Sequence, residues 1–163
     1  MGKYSAARDL DLSIHIKWYV LANRVEAVFY REDEDRFVYV ARMVNPKGHR
    51  LNSELESDRP GRVSSSAKGT SIRHSLEKKT NHHELQALKF GKGIANKLDK
   101  ALREGKFTEL VLVAEPHFLG LLRGQCSANV RAKITHSVPR EFQQGSDKER
   151  RGLVMSAIHR MEK

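Results

Sequence analysis

Arg59 and Arg62 stand on either side of the Pro60–Gly61 pair in "SDRPGR", and Arg73, His74, Lys78 and Lys79 follow in "SIRHSLEKK". Guanidinium groups offer planar forks that match phosphate oxygens, and a tight turn between two arginines presents both forks to one polyanion. From Ser57 to Lys79 the only acids are Asp58 and Glu77, so a positive potential surrounds the segment. Serine hydroxyls and backbone amides in "VSSSAKG" add neutral donors, and His74 adds a contact that responds to pH. The chemistry expected of these residues is phosphate binding. The alternative is a solvated loop whose charge confers only solubility and nonspecific attraction.

Other reactive residue types do not assemble into a catalytic pattern. His74, His82, His83 and Glu84 in "HSLEKKTNHHE" lack HExxH or comparable ligand spacing, and adjacent histidines at a helix start project in different directions. Glu115 closes "ELVLVAEP", where it suits an N-cap for a helix starting at Pro116, and one acid does not hold a metal pair. The first strand, "SIHIKWYVL", contains no acid, and Lys17 would oppose a cation there. Cys126 is the sole cysteine and sits in an apolar stretch, which fits a buried side chain rather than a nucleophile. The serines of "VSSSAKGTS" have no nucleophile-elbow context. No catalytic residue, metal ligand or cofactor is assigned.

The elements that must position these residues follow from periodicity. Ile14, Ile16, Trp18 and Val20 alternate, then Val25, Ala27 and Phe29, then Phe37, Tyr39 and Ala41, with polar turns at Asn23–Arg24 and "REDEDR" between them. This predicts a three-stranded antiparallel meander ending at Pro46 and Gly48. A long basic loop is expected over about 46–80, far beyond the ~12 to 15 residues of ordinary connections. Ala87, Phe90, Gly91, Ile94, Leu98, Ala101 and Leu102 share a helical face, with Asn81 as the expected N-cap and Gly105 as the stop. Lys89, Lys92, Lys97, Lys100 and Arg103 fall largely elsewhere. "ELVLVAEP" reads as an interior strand, "PHFLGLLRGQCSANV" as one helix opened by Pro116, and "RAKITHSV" as an edge strand. Ser146 and Glu149 have capping-box spacing for a C-terminal helix at about 146–161, with a stripe of Leu153, Ala157, Ile158 and Met161.

A right-handed crossover makes the last two strands parallel, with the valine-rich strand beside the first strand of the meander. The expected fold is α/β: a mixed five-stranded sheet, antiparallel meander plus two parallel strands, with flanking helices in a ribonuclease H-like, translational-machinery-component-like layout. The 163 residues suit a single domain, 1–163, and carry 30 Lys and Arg against 20 Asp and Glu, a formal net charge of +10 that favours polyanionic partners. One cysteine allows no internal disulfide. The N-terminal residues lack a secretory cleavage pattern, and nothing approaches the ~20 consecutive apolar residues of a membrane span. A cytoplasmic protein is expected.

"LNSELESDRPGR", "RHSLEKKTNHHE" and "FTELVLVAEPHFLGLLR" together resemble the bacterial host-attachment protein family, a group also described as similar to archaeal and eukaryotic peptide-release factors. The resemblance runs from about Trp18 to the strand near Ile134. It implies a domain similar to the middle domain of the release factors, which hydrolyse peptidyl-tRNA through a Gly-Gly-Gln loop. This sequence has no such loop; Gly124 and Gln125 are the nearest approach and lack the first glycine. The resemblance therefore implies a non-catalytic protein that binds RNA or the ribosome and influences attachment to host cells indirectly, with Arg59, Arg62, Arg73, His74, Lys78 and Lys79 on the phosphates. Two alternatives stand beside it: an attachment factor acting through protein contacts with a host-cell partner, and a metal-dependent phosphodiesterase with an unrecognised site.

Overall fold

In the computed structural model, residues 14–48, 71–141 and 145–163 are described, with side chains of the long helix from residue 81 onward. The sheet is built from alternation that buries both faces. In β1 (Lys17–Ala22), Trp18, Val20 and Ala22 enter one apolar cluster while Tyr19 and Leu21 enter another. β2 (Glu26–Asp33) does the same with Ala27 and Phe29 on one side and Val28 and Tyr30 on the other. The polar turns lie where the sequence places them. Asn23 Oδ1 accepts from the Val25 and Glu26 amides, both at 2.8 Å, and Glu34 takes φ 51° between β2 and β3 (Arg36–Val44).

β4 (Glu109–Ala114) is the interior strand expected of its valine-rich run, with Leu110, Leu112 and Ala114 on one face and Val111 and Val113 on the other. It lies parallel to β1, pairing Ala22 with Ala114, and parallel to β5 (Ile134–Pro139). The strand order is β3-β2-β1-β4-β5, a five-stranded mixed sheet with β5 at an edge. The α/β class and the place of the valine-rich strand beside β1 are thus as the sequence predicts.

Helix α1 (Ser71–Arg103) covers the Trp18 face, together with α2 (Pro116–Gln125) and α3 (Ala128–Ala132). Ala87, Phe90, Ile94, Leu98 and Ala101 supply its buried stripe, joined by Ala95. Its end is a Schellman motif. The Gly105 amide donates to Leu102 O and the Lys106 amide to Ala101 O, each at 3.0 Å, with Gly105 at φ +69°. Helix α4 (Asp147–Met161) covers the opposite face, with Ser146 and Glu149 forming the expected capping box.

Four sequence expectations need correction. Helix α1 starts at Ser71, not after Asn81, so residues 71–80 are helical rather than part of a loop. Half of those residues, Arg73, Leu76, Glu77, Lys78 and Lys79, are good helix formers and none is Gly or Pro, so the helix extends where amphipathic period is too sparse to show it. The strict alternation expected of Phe37, Tyr39 and Ala41 fails because a bulge opposite Phe29 and Tyr30 shifts the register. Phe37 stacks on Tyr30 while Ala41 and Met43 pack on the other face, and Tyr39 is exposed. "PHFLGLLRGQCSANV" is two helices, because Ser127 caps α3 by accepting from the Val130 amide. In α4 the buried residues are Val154 and Ala157, whereas Leu153 and Met161 are half exposed. Polar groups share the sheet-facing side of α4. Tyr30 donates to Asp147 Oδ1 at 2.7 Å, Arg150 donates to Tyr30 Oη at 2.6 Å, and Arg151 lies 3.7 Å from Glu32 and 3.3 Å from Asp35.

Candidate functional site

The carboxyl ends of β1 and β4 lie side by side, so the Asn23–Val25 turn and Glu115 meet at one edge. Ligands of open α/β sheets collect at such ends. Arg24 is held over this edge by its own backbone, since Asn45 Nδ2 donates to the Arg24 carbonyl at 2.9 Å. Its guanidinium reaches Glu115 Oε1 at 3.7 Å, Glu84 Oε2 at 3.9 Å and His117 Nδ1 at 2.9 Å. His117 Nε2 lies 3.4 Å from Glu84 Oε1. A guanidinium only donates, so the Arg24 contact makes His117 Nδ1 an acceptor and leaves the ring proton on Nε2, facing Glu84.

What this network can do is limited by its own contacts. Both oxygens of Glu115 accept from the first turn of α2, at 2.9 Å from Phe118 N and 3.3 Å from His117 N. Glu115 is the N-cap that its position before Pro116 predicts, and each of its oxygens is engaged in that role. The surrounding pairs are partly exposed and are each worth ~0–1 kcal/mol. Together they tie α1, α2 and the β1–β2 turn into one register. His82 and His83 sit inside α1 rather than at its start, and Glu84 belongs to the Arg24 network. Among the described residues no group of three or more His, Cys, Asp or Glu is placed to hold a metal ion.

Helix α1 also carries the charge. With 33 residues it is about 50 Å long, and from residue 81 onward its first buried positions are Gln86 and Ala87. Residues 71–80 form its first turns. Of the expected phosphate contacts, Arg73, His74, Lys78 and Lys79 lie on these early turns, whereas Arg59 and Arg62 lie outside the described residues. Farther along, Lys89, Lys92, Lys100 and Arg103 are exposed and recur on the side opposite Ala87, Ile94 and Leu98. Lys100 and Arg103 pair with Glu104 and Asp99, but Lys89 and Lys92 have no ion pair among the described residues. Lys97 differs, lying 5.6 Å from the Phe29 ring centroid. The lysine stripe was visible as the residues left off the apolar face, although only the helix fold turns it into a continuous surface about 20 Å long.

Cys126 is buried, and burial pushes its thiol up, away from thiolate chemistry. Gly124 and Gln125 lie in the last turn of α2 rather than in a glycine loop. The strand, turn and helix sequences that build this edge match a family model described as "Protein required for attachment to host cells" over residues 18–150. The chain belongs to that host-attachment family. The match covers β1 through the first turn of α4, so it extends past Ile134 to include β5 and the capping box. No curated protein matches the chain. Membership links this fold to attachment to host cells. None of the described helices is long and apolar enough to cross a membrane.

Proposed function

We propose that this host-attachment family member is a non-catalytic, cytoplasmic, single-domain protein that binds RNA, with the ribosome as its partner, and influences attachment through translation. The observation that carries the reading is the basic stripe of α1. Lys89 and Lys92 project from the helix face opposite the core with no ion pair among the described residues, and helical spacing continues that face back to positions 74 and 78. Arg59, Arg62, Arg73 and Lys79 add four cations in the sequence leading up to that stripe. A net charge of +10 supports a polyanionic partner. The strand order β3-β2-β1-β4-β5 with only β2 reversed against β1 is compatible with a ribonuclease H-like layout, such as the release-factor middle domain that the sequence resemblance implies.

The test is fluorescence anisotropy of the full chain with structured RNA, and sedimentation with ribosomal subunits, each across a salt series. Affinity is expected to fall steeply with salt, each phosphate contact contributing ~0.7–0.9 to the log–log slope. The pairs Lys89→Glu with Lys92→Glu, and Arg59→Ala with Arg62→Ala, should each weaken binding by roughly tenfold or more and flatten that slope. Binding that ignores salt, or no binding to either partner, rejects the reading.

A second reading follows from the family description itself: promotion of attachment through contact with a host-cell protein. Recovery of the chain from the surface of intact cells, with no RNA affinity, would favour it.

A further inference from the structure

The other face of the sheet carries a concavity unrelated to the basic stripe. After β4 the chain passes to α2 and α3 on one face, whereas after β5 it leads to α4 on the other. Adjacent parallel strands whose connections depart to opposite sides leave a crevice at their carboxyl ends, and such crevices are where open α/β sheets take ligands. Here a cavity of about 310 Å³ occupies that crevice. The volume is at the small end of the roughly 300–1,000 Å³ range of small-molecule sites.

Its floor is Leu21, Val113 and Val138, the last side chains of β1, β4 and β5 on this face. Leu153 and Val154 of α4 form a wall. Leu153 is 46% exposed, so a leucine that could have faced the core instead lines the opening. Three charged residues complete the lining: Arg140, Glu141 and Arg150. Arg150 is held in place, donating to Tyr30 Oη at 2.6 Å and lying 3.6 Å from Asp147. Arg140 has no ion pair among the described residues, and neither has Glu141.

We propose that this cavity binds a small monocarboxylate with an aliphatic or aromatic body. The apolar floor and wall take the body, and the Arg140 fork takes the carboxylate through paired N–H donors. Arg150, fixed by Tyr30, adds positive potential from the inner side. Glu141 sets the charge of the ligand. With Arg150 paired to Asp147, Arg140 is the cation left for one carboxylate, and Glu141 beside it disfavours a phosphate dianion. The shape and the charge thus select the same chemical class.

Isothermal titration calorimetry of the full chain decides it, using 4-methylpentanoate and phenylacetate against 4-methylpentan-1-ol, 3-methylbutylamine and phenyl phosphate. Both carboxylates are expected to bind with a Kd of ~1 mM or tighter, and the alcohol, amine and phosphate at least about tenfold more weakly. Arg140→Ala should weaken the carboxylates by about tenfold or more, and Arg140→Lys by less. Leu153→Trp should fill the opening and abolish binding; both positions are exposed, so circular dichroism melts should be retained. The proposal is overturned if neither carboxylate gives saturable heat, if the alcohol, amine or phosphate binds as tightly, or if Arg140→Ala binds as the parent does.

Discussion

Glu115 and Tyr30 show how single side chains hold the two layers on the sheet. Glu115 caps α2 with both oxygens while its charge faces Arg24, so Glu115→Ala removes an N-cap and leaves the His117 and Phe118 amides without their acceptor. A loss of about 1 kcal/mol in urea denaturation is expected. Tyr30 donates to Asp147, and burial together with that hydrogen bond pushes its phenol up to about 12, with the Arg150 contact opposing the rise. Tyr19 is raised as well, by burial and by the neighbouring Glu32 carboxylate. A raised folded-state value means the native state keeps the proton more tightly than the unfolded chain. The stability it contributes is complete below about pH 10 and is lost as pH rises towards 12. Stability measured across that alkaline window should fall, and Tyr30→Phe should make the fall shallower while Tyr19 keeps part of it.

At the scale of elements, α1 carries the clearest division between what periodicity reveals and what it misses. Its apolar face and its glycine stop were legible, because a packed helix repeats its buried positions and a left-handed residue after the last turn favours glycine. At Gly105, φ is +69° and a side chain would meet nothing nearby, so the cost of Gly105→Ala is one of backbone conformation alone. A destabilisation of about 1 kcal/mol is expected from chemical denaturation. The start of α1 was not legible, since residues 71–80 are held helical by propensity and by continuity with the packed segment. α4 misled for a different reason. Its sheet-facing side mixes Val154 and Ala157 with Arg150 and Arg151, and a search for apolar residues alone rotates the stripe onto Leu153. Likewise the β3 bulge moves Ala41 to the face opposite Phe37, a change of phase that no period-two pattern announces.

At the scale of the molecule, each face of the sheet depends on a different stretch of chain. Trp18, Phe29 and Leu112 are covered by helices from the middle of the sequence, while Tyr19, Val28, Phe37 and Val113 are covered by α4. Ending the chain after Gly145 would expose that second cluster, where fully burying one large apolar side chain is worth ~1.5–3 kcal/mol. Such a truncation is expected to lose cooperative unfolding and near-ultraviolet ellipticity, and to aggregate.

The sequence by itself determined the strands, their order, the core face of α1, the caps at Glu115 and Ser146, and the basic balance. The strand order follows from the handedness of strand–helix–strand crossovers, and the rest from local spacing or composition, which are present in the chain before it folds. Only the tertiary structure decided that Arg24, Glu84, Glu115 and His117 meet, although Arg24 and His117 are far apart in sequence. It alone gathered Leu21, Val113, Val138 and Arg140 around one cavity, because the crevice arises from connections leaving β4 and β5 on opposite faces. That divergence is a property of layer packing, and no residue spacing along the chain encodes the shape it leaves.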